Sequence, residues 1–304
     1  MSFVASVEAG LTVQTWHCFS AWCIDVDTLD DEYFLLSQPR KKHAVIRVCE
    51  GKDLQKAKRL IQLPMVTVPW NLMACSVSNC LYVLHKTSDA VEILRVSREE
   101  EQLPAAAPFV TCSSRLVSRM CVSADGSLIV YQGPAPSTIT TYNADGLAQR
   151  QIEFTKRLSF VRAIVSKSNG SVIIVSSSLT EISRDGDILY DYDCRVGGGL
   201  YRGYIHCAID GLDHIMTVDA GNSVRLLDSD FNQAEVKRSD RWMNIRSWAH
   251  LYKLHYNRQR NEFMILDCCD TASDDISLPS QTFIAFNVTE TIIPEADVQN
   301  DEQA

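Results

Sequence analysis

The sequence predicts an all-β fold, a six-bladed β-propeller of four-stranded antiparallel blades around a central channel. Three observations predict it. A strand-like apolar run recurs six times, tight-turn residues precede most of these runs, and the chain has only one weak helix-period segment. Strand-only units of about 45 residues, repeated along a chain, are typical of propeller blades.

The repeated run is four residues long and rich in Val, Ile, Leu and Tyr, which favours a buried strand. The six copies lie at residues 33–36, 81–84, 128–131, 172–175, 215–218 and 263–266. Their third residues are separated by 48, 47, 44, 43 and 48 residues. Copies at this spacing occupy the whole chain and leave no room for a second domain.

Turn residues divide each unit into short strands. Asp125-Gly126 and Asn169-Gly170 precede two of the runs, and such pairs tolerate the positive φ of tight hairpins. A second alternating run follows the first, at residues 91–94, 138–141 and 224–227. Each unit therefore predicts about four strands joined by tight turns.

The propeller is predicted to span residues 1–289. A strand-like run at residues 11–19 precedes the first unit, and we expect it to supply the outer strand of the last blade. Closing the ring in this way protects sheet edges that would otherwise promote aggregation. Residues 290–304 contain five acidic and no basic residues, which predicts a disordered tail.

The composition is that of a globular protein. Of the 304 residues, 46% are apolar and 22% are charged, so the chain can bury a sizeable core. Its net charge of −9 disfavours nucleic acid as a partner. Because no secretory signal or long apolar segment is present, we expect a cytoplasmic location and no membrane contact. The odd number of cysteines, eleven, then predicts free thiols.

Two stretches resemble a known repeat. Residues 209–230, IDGLDHIMTVDAGNSVRLLDSD, resemble an NHL repeat, and residues 70–85, WNLMACSVSNCLYVLH, look like the divergent NHL-type propellers of animal tripartite-motif-like proteins. The resemblance implies a six-bladed propeller that binds proteins or RNA. It does not bring ubiquitin-ligase activity, because the cysteine pairs lack the Cys-x2-Cys spacing of zinc sites. These pairs are Cys18-x4-Cys23, Cys75-x4-Cys80 and Cys268-Cys269.

No catalytic motif is recognisable, which favours a protein that is not an enzyme and uses no cofactor. The sequence lacks a Gly-x-Ser-x-Gly elbow, a phosphate-binding Gly-Lys-Ser/Thr loop and a His-Glu-x-x-His pair. The first alternative is a calcium-dependent lactonase- or esterase-like hydrolase, with an ion held in the channel by oxygen ligands. Its candidate ligands fall in different registers, which favours turn residues and no metal site. These are Asp25, Asp27, Asn71, Asp210 and Asn257.

A second alternative is RNA binding through the basic stretch between Arg40 and Arg59. No aromatic residue is interleaved there, although bases stack on such rings in single-stranded RNA sites. The stretch is therefore interpreted as a solvated loop.

Aromatic residues and arginines recur near the start of the innermost strand of several units. We expect them to meet at one mouth of the channel and to bind a protein or an acidic peptide, with the chain acting as a monomer. The competing interpretation is that the rings fill the core and the arginines line water. The arginines are spaced by 43, 40 and 44 residues. The candidate site residues are Trp70, Phe160, Tyr204, Trp248, Arg119, Arg162, Arg202 and Arg246.

Overall fold

The computed structural model of the chain is all-β, and every regular element of the described residues is a strand. The structure describes residues 2–17, 21–39, 43–50, 57–63, 69–98, 108–112, 117–133, 136–154, 156, 158, 161–176, 178–193, 204–219, 224–232, 235–237, 251–257, 261–269 and 280–293. Over these ranges, no helix has the length and apolar character needed to cross a membrane.

The strands are short except at the two ends of the chain. In chain order they are β1 (Ser2–His17), β2 (Ala21–Leu29), β3 (Glu32–Pro39), β4 (Val45–Glu50), β5 (Arg59–Gln62), β6 (Pro69–Cys75), β7 (Cys80–Lys86), β8 (Val91–Ser97), β9 (Val110–Cys112), β10 (Val117–Val122), β11 (Leu128–Gln132), β12 (Ser137–Tyr142), β13 (Ala148–Phe154), β14 (Ala163–Ser166), β15 (Val172–Val175), β16 (Ser178–Ile182), β17 (Ile188–Asp193), β18 (Tyr204–Ile209), β19 (Ile215–Asp219), β20 (Val224–Leu227), β21 (Glu235–Lys237), β22 (Leu251–Asn257), β23 (Glu262–Cys269) and β24 (Ser280–Ile293). The six apolar runs predicted to be strands lie in β3, β7, β11, β15, β19 and β23, so that prediction is confirmed.

Tight turns join these strands where the sequence placed glycine. In the turn between β10 and β11, the Ser123 N–H donates to the Ser127 carbonyl and the Gly126 N–H donates to the Ser123 carbonyl, both at 3.0 Å. Gly126 has a φ of 85°, and Gly170 in the next sheet has a φ of 81°. Glycine adopts such angles without a steric cost, which suits it to these two turns. Asn79 and Asp213, with φ of 45° and 64°, take positive-φ positions in the β6–β7 and β18–β19 turns.

In the described residues the strands pair into six sheets. Four of them follow chain order, β2 to β5, β6 to β9, β10 to β13 and β14 to β17. The next sheet contains β18, β19 and β20, and the last has the order β21-β1-β24-β23-β22. Four strands were expected in every unit, but β21 pairs in parallel with β1 instead of extending the β18–β20 sheet. This pairing covers the outer edge of β1, whose backbone groups would otherwise lack sheet partners.

One edge strand of each sheet lies beside the corresponding strands of two other sheets. We call these six strands, β2, β6, β10, β14, β18 and β22, the first strands. Contacts join β2 to β6, β6 to β10, β10 to β14, β14 to β18, β18 to β22 and β22 back to β2. The sheets therefore surround a common axis with their first strands innermost, which is the arrangement of a β-propeller.

Apolar cores fill the space between neighbouring sheets. Strand β7 shows how: Leu81 and Val83 pack in the cluster shared with the first sheet, while Tyr82 and Leu84 pack in the cluster shared with the third. Successive side chains of a strand point to opposite faces, so one apolar run serves two cores. This explains why the runs are apolar throughout and do not alternate.

The two ends of the chain pair with each other in the last sheet. Strand β1 is antiparallel to β24, with a register that runs from Ser2 opposite Ile293 to His17 opposite Ser280. β24 thus extends four residues beyond the boundary predicted at residue 289. The extra residues include Thr291, Ile292 and Ile293, which are β-branched and favour strands. Residues 294–304 of the predicted tail lie outside the described residues.

Candidate binding site in the central channel

A cavity of about 390 Å³ occupies the centre of the ring, and residues of all six first strands line it. Neighbouring first strands run in the same direction. The Leu72 N–H reaches Asp25, and two residues further along both strands the Ala74 N–H reaches Asp27. The channel therefore has one mouth near the start of these strands and another near their ends.

Five of the six first strands begin with an irregularity in pairing. The register shifts by one residue between Cys23 and Asp25, Pro69 and Asn71, Val117 and Arg119, Tyr204 and His206, and Leu251 and Lys253. Such β-bulges bend a strand and redirect its side chains. The residue after each shift lines the channel, and Ala163 takes the corresponding place in β14. We call this set the polar ring: Asp25, Asn71, Arg119, Ala163, His206 and Lys253.

Asp25 accepts several hydrogen bonds in the polar ring. Its carboxylate is buried and accepts from the Lys253 ammonium at 2.8 Å, from the Asn71 amide at 2.8 Å and from the Leu72 N–H at 2.7 Å. The Asn71 carbonyl oxygen in turn accepts from the Met120 N–H at 3.2 Å. This network connects four sheets through one carboxylate, and charge-assisted bonds of this kind are stronger than neutral ones.

A second pair lies one layer deeper in the channel. His255 Nε2 lies 2.8 Å from the buried carboxylate of Asp27, which also accepts from the Ala74 N–H at 2.8 Å and the Thr28 N–H at 2.7 Å. Burial alone would raise the pKa of Asp27, but His255, with smaller help from Lys253 and the Ala74 N–H, lowers it below its ordinary value. Asp27 is therefore held as a carboxylate.

Trp70, Arg119 and Arg162 lie together at the mouth where the first strands begin, which we call the arginine mouth. Arg119 is half-buried and its Nε–H donates to the Arg162 carbonyl. Burial lowers the pKa of Arg119, and so does Arg162, whereas Asp25 raises it. Trp70 is 38% exposed, and the Lys86 ammonium lies 5.9 Å from the centre of its ring.

The structure therefore brings three of the eight predicted site residues to one cavity. Trp70 lies within β6 and not before it, because that strand begins at Pro69. Tyr204 is the first residue of β18, but its side chain is outside the described part of the structure. The remaining four, Phe160, Arg202, Arg246 and Trp248, lie outside the described residues.

The expectation that the candidate calcium ligands fall in different registers is wrong for two of them. Asp25 and Asn71 occupy equivalent places in neighbouring sheets, and Asp25 accepts directly from Asn71. Asp210 differs as expected, since it lies in a turn where it bonds the His214 N–H at 2.8 Å. In the described part of the chain, no cluster of three or more His, Cys, Asp or Glu residues could hold a metal ion.

No family model and no curated protein matches the sequence. Several solved structures are similar in fold. A protein of unknown function from Bacteroides caccae aligns at 14% identity over 79% of this chain and 84% of its own, with a TM-score of 0.57. A luciferin-regenerating enzyme aligns at 8% identity over 91% and 95%, with a TM-score of 0.57. The WD40 β-propeller domain of Doa1 aligns at 13% identity over 91% and 97%, with a TM-score of 0.54.

Identities this low establish the fold alone. The all-β propeller predicted from the repeats is confirmed, both by these neighbours and by the arrangement of the sheets.

Proposed function

We propose that the chain is a non-enzymatic binding module that docks a protein or an acidic peptide at the arginine mouth. The observation that carries this proposal is the convergence of Trp70, Arg119 and Arg162 on one end of one cavity. Aromatic and arginine side chains are enriched among the residues that dominate binding energies. The WD40 domain of Doa1 is a neighbour of the same fold, which is compatible with a binding module but does not identify a partner.

The charge at the arginine mouth favours an acidic partner. Arg119, Arg162 and Lys253 line it, and Asp25 supplies the nearest carboxylate. Among the residues that the structure describes, this group thus carries an excess of positive charge in a chain whose net charge is −9. Because burial and the neighbouring Arg162 both disfavour the charge of Arg119, a carboxylate bound between the two guanidinium groups would stabilise both.

The alternative is a calcium-dependent lactonase- or esterase-like hydrolase. One structural neighbour is named a luciferin-regenerating enzyme, and Asp25, Asn71 and Asp27 place oxygen atoms in the channel. In this chain, however, the Lys253 ammonium already neutralises Asp25 at 2.8 Å, and His255 lies against Asp27 at 2.8 Å. These contacts favour a binding module. Stoichiometric binding of calcium, measured by isothermal titration, would favour the hydrolase instead.

RNA binding through the basic stretch has less support. Lys58 lies 3.1 Å from Glu50 and 3.7 Å from Glu32, so acidic neighbours offset its charge. Arg59 donates to the Arg98 carbonyl. Cations that are already paired contribute little to phosphate binding, whose affinity arises from released counterions.

We also propose that the six sheets are six blades, since their first strands contact one another in a complete ring. The NHL-type resemblance of residues 209–230 accords with this number. The proposed module acts as a monomer in the cytoplasm, where its cysteines remain reduced.

The test measures binding of a fluorescein-labelled hexaglutamate peptide by fluorescence anisotropy. Arg162 is exposed, so Arg162→Ala should leave the melting temperature unchanged and weaken binding about 30-fold, equivalent to about 2 kcal/mol. Trp70→Ala should weaken binding by a similar factor, and because its ring is 38% exposed it should lower stability by less than the loss of about 3–5 kcal/mol expected for a fully buried ring.

Leu147→Ala serves as the matched control. Leu147 is 64% exposed and lies in a turn outside the channel lining, so this variant should bind the peptide normally. A hexalysine peptide should not bind. The proposal is wrong if hexaglutamate fails to bind, or if Arg162→Ala binds it as tightly as the unmodified chain does.

A further inference from the structure

Two cysteines face each other at the end of the β6–β7 hairpin. Cys75 is the last residue of β6, Cys80 is the first of β7, and the two are direct partners in the strand pairing. Directly opposed residues of antiparallel strands have Cα atoms about 4.5 or 5.5 Å apart, depending on the type of pair. Disulfides span Cα separations of about 4.4–6.8 Å. The backbone therefore already has the spacing that a Cys75–Cys80 bond needs.

The pair is buried, and one of its two members borders the channel. Cys75 is 1% exposed and Cys80 is 2% exposed, yet Cys75 lines the cavity near the mouth opposite the arginine mouth. Both are free thiols. Both cysteines belong to the apolar core shared by the second and third sheets, and Cys75 also borders the channel.

The two thiols differ in acidity because they interact with each other. The bond with Cys80 lowers the pKa of Cys75, and Ser78 adds to this effect, although burial opposes it. The same bond raises the pKa of Cys80, and burial raises it further. Of the two cysteines only Cys75 lines the channel, and this position favours Cys75 as the attacking cysteine and Cys80 as the resolving one.

We propose that Cys75 and Cys80 form a redox-active dithiol, which a hydroperoxide oxidises to a disulfide and a thiol reductant restores. The Cys75 thiolate attacks the outer oxygen of the peroxide, breaks the O–O bond and becomes a sulfenic acid, and the alkoxide takes a proton from water. The Cys80 thiol then displaces the hydroxyl group as water and forms the S–S bond. To reduce the Cys75–Cys80 disulfide, two thiols of the reductant supply two electrons and two protons and become a disulfide themselves.

Oxidation changes a contact between the second and third sheets. The Cys75 thiol donates to the Gly126 carbonyl at 3.7 Å, in the turn that joins β10 to β11. A disulfide sulfur has no proton to donate, so this contact is lost while the β6–β7 turn becomes covalently closed. The dithiol would thus couple the oxidation state to the turns at this mouth of the channel.

The experiment uses the purified full chain, reduced and then freed of reductant. It is treated with hydrogen peroxide, denatured in N-ethylmaleimide and digested with trypsin. Cleavage after Arg59 and Lys86 releases residues 60–86, which contain Cys75 and Cys80 and no other cysteine. We expect this peptide to be lighter by two hydrogen atoms and free of maleimide. Prior treatment with dithiothreitol should restore a maleimide at each cysteine.

Cys112 is the internal control. It is buried in the same sheet but lies opposite Val91, and the tryptic peptide of residues 99–115 contains no other cysteine. It should carry a maleimide after the same treatment. Two maleimides on the 60–86 peptide, or a sulfinic acid at Cys75 without a disulfide, would overturn the proposal.

Two variants test whether Cys75 is the attacking thiol and Cys80 the resolving thiol. In Cys80→Ser the sulfenic acid at Cys75 has no resolving thiol, so a 1,3-dione probe should label Cys75. In Cys75→Ser the remaining Cys80 thiol should react with peroxide at least about tenfold more slowly. Equal rates, or no dione label at Cys75, would contradict the assignment of Cys75 as the attacking thiol. Melting curves of both variants establish that they are folded.

Discussion

Replacing Asp25 with alanine tests whether the polar ring holds the sheets together. The change removes a carboxylate that is 2% exposed and leaves the Lys253 ammonium, whose side chain is 12% exposed, in the channel wall. Its nearest remaining acceptor is the Leu72 carbonyl at 3.4 Å. The Asn71 amide and the Leu72 N–H also lose the oxygen to which they donate.

The expected loss of stability follows from these contacts. Removing one partner of a buried ion pair costs about 3–5 kcal/mol, because the other charge stays buried without compensation. Water that enters the channel would favour the lower end of this range. At about 2 °C per kcal/mol for a chain of this size, the melting temperature should fall by about 6–10 °C.

Equilibrium unfolding in urea, followed by tryptophan fluorescence, measures the effect. Lys253→Met alone should also destabilise the chain. The double variant should be more stable than the sum of the two single changes predicts, by about 1–3 kcal/mol, because it leaves no unpaired charge. Asp145→Ala, at an exposed turn position, should change stability by less than about 0.5 kcal/mol. An Asp25→Ala loss below about 1 kcal/mol, together with strict additivity, would refute the reasoning.

Two further changes test the second layer of the channel and one of its turns. The pKa of Asp27 in the folded chain is below its ordinary value of 3.8, so its stabilising effect is present above pH 3.8 and is lost as the pH falls through the folded value. Asp27→Asn should therefore lower stability at neutral pH and flatten the acid limb of a stability–pH curve measured in urea; unchanged curve shape would contradict this. Gly126→Ala should cost about 1–3 kcal/mol, because a Cβ there would lie 2.7 Å from the Val77 Cβ at a φ of +85°. Gly211→Ala, where a Cβ would meet nothing within 4 Å, should be nearly neutral in the same melting assay.

The repeat could be predicted from sequence because each unit repeats its local chemistry. Apolar runs such as residues 81–84 pack on both faces, and glycine turns such as Gly126 end the strands at regular intervals. Pairings between distant ends are harder to predict. The run at residues 11–19 gave no sign that β1 begins at Ser2 or that β24 continues to Ile293, where the two strands pair with each other across the ends of the chain.

Asp25, Asn71 and Arg119 were each named from the sequence, but that they belong to one polar ring was missed for a different reason. Its members differ in residue type, so a search for repeated acidic residues does not detect them. Their positions do repeat, however: Asp25, Asn71 and Arg119 each directly oppose the residue that follows the third residue of an apolar run. If the units are aligned on those runs, the residues that oppose the runs in the preceding strand can be compared. That comparison places Asp25 and Asn71 in one register. The one-residue bulges obscure that register when the first strands are compared by themselves.

Two side-chain pairs in the channel link the first sheet to the last. Asp25 with Lys253, and Asp27 with His255, both join β2 of the first sheet to β22 of the last. The first pair spans 228 residues of sequence. On the outside of the last sheet, β1 pairs with β24 and fixes the same two ends of the chain.

Contacts this distant in sequence form late, because the cost of closing so long a loop must be met before they stabilise anything. Two independent connections at one junction, a strand pairing outside and the Asp25–Lys253 and Asp27–His255 contacts inside, stabilise the closed ring against opening there. Loss of the inner connection alone should therefore weaken the junction between the first and last sheets more than the junctions that neighbouring units share along the chain.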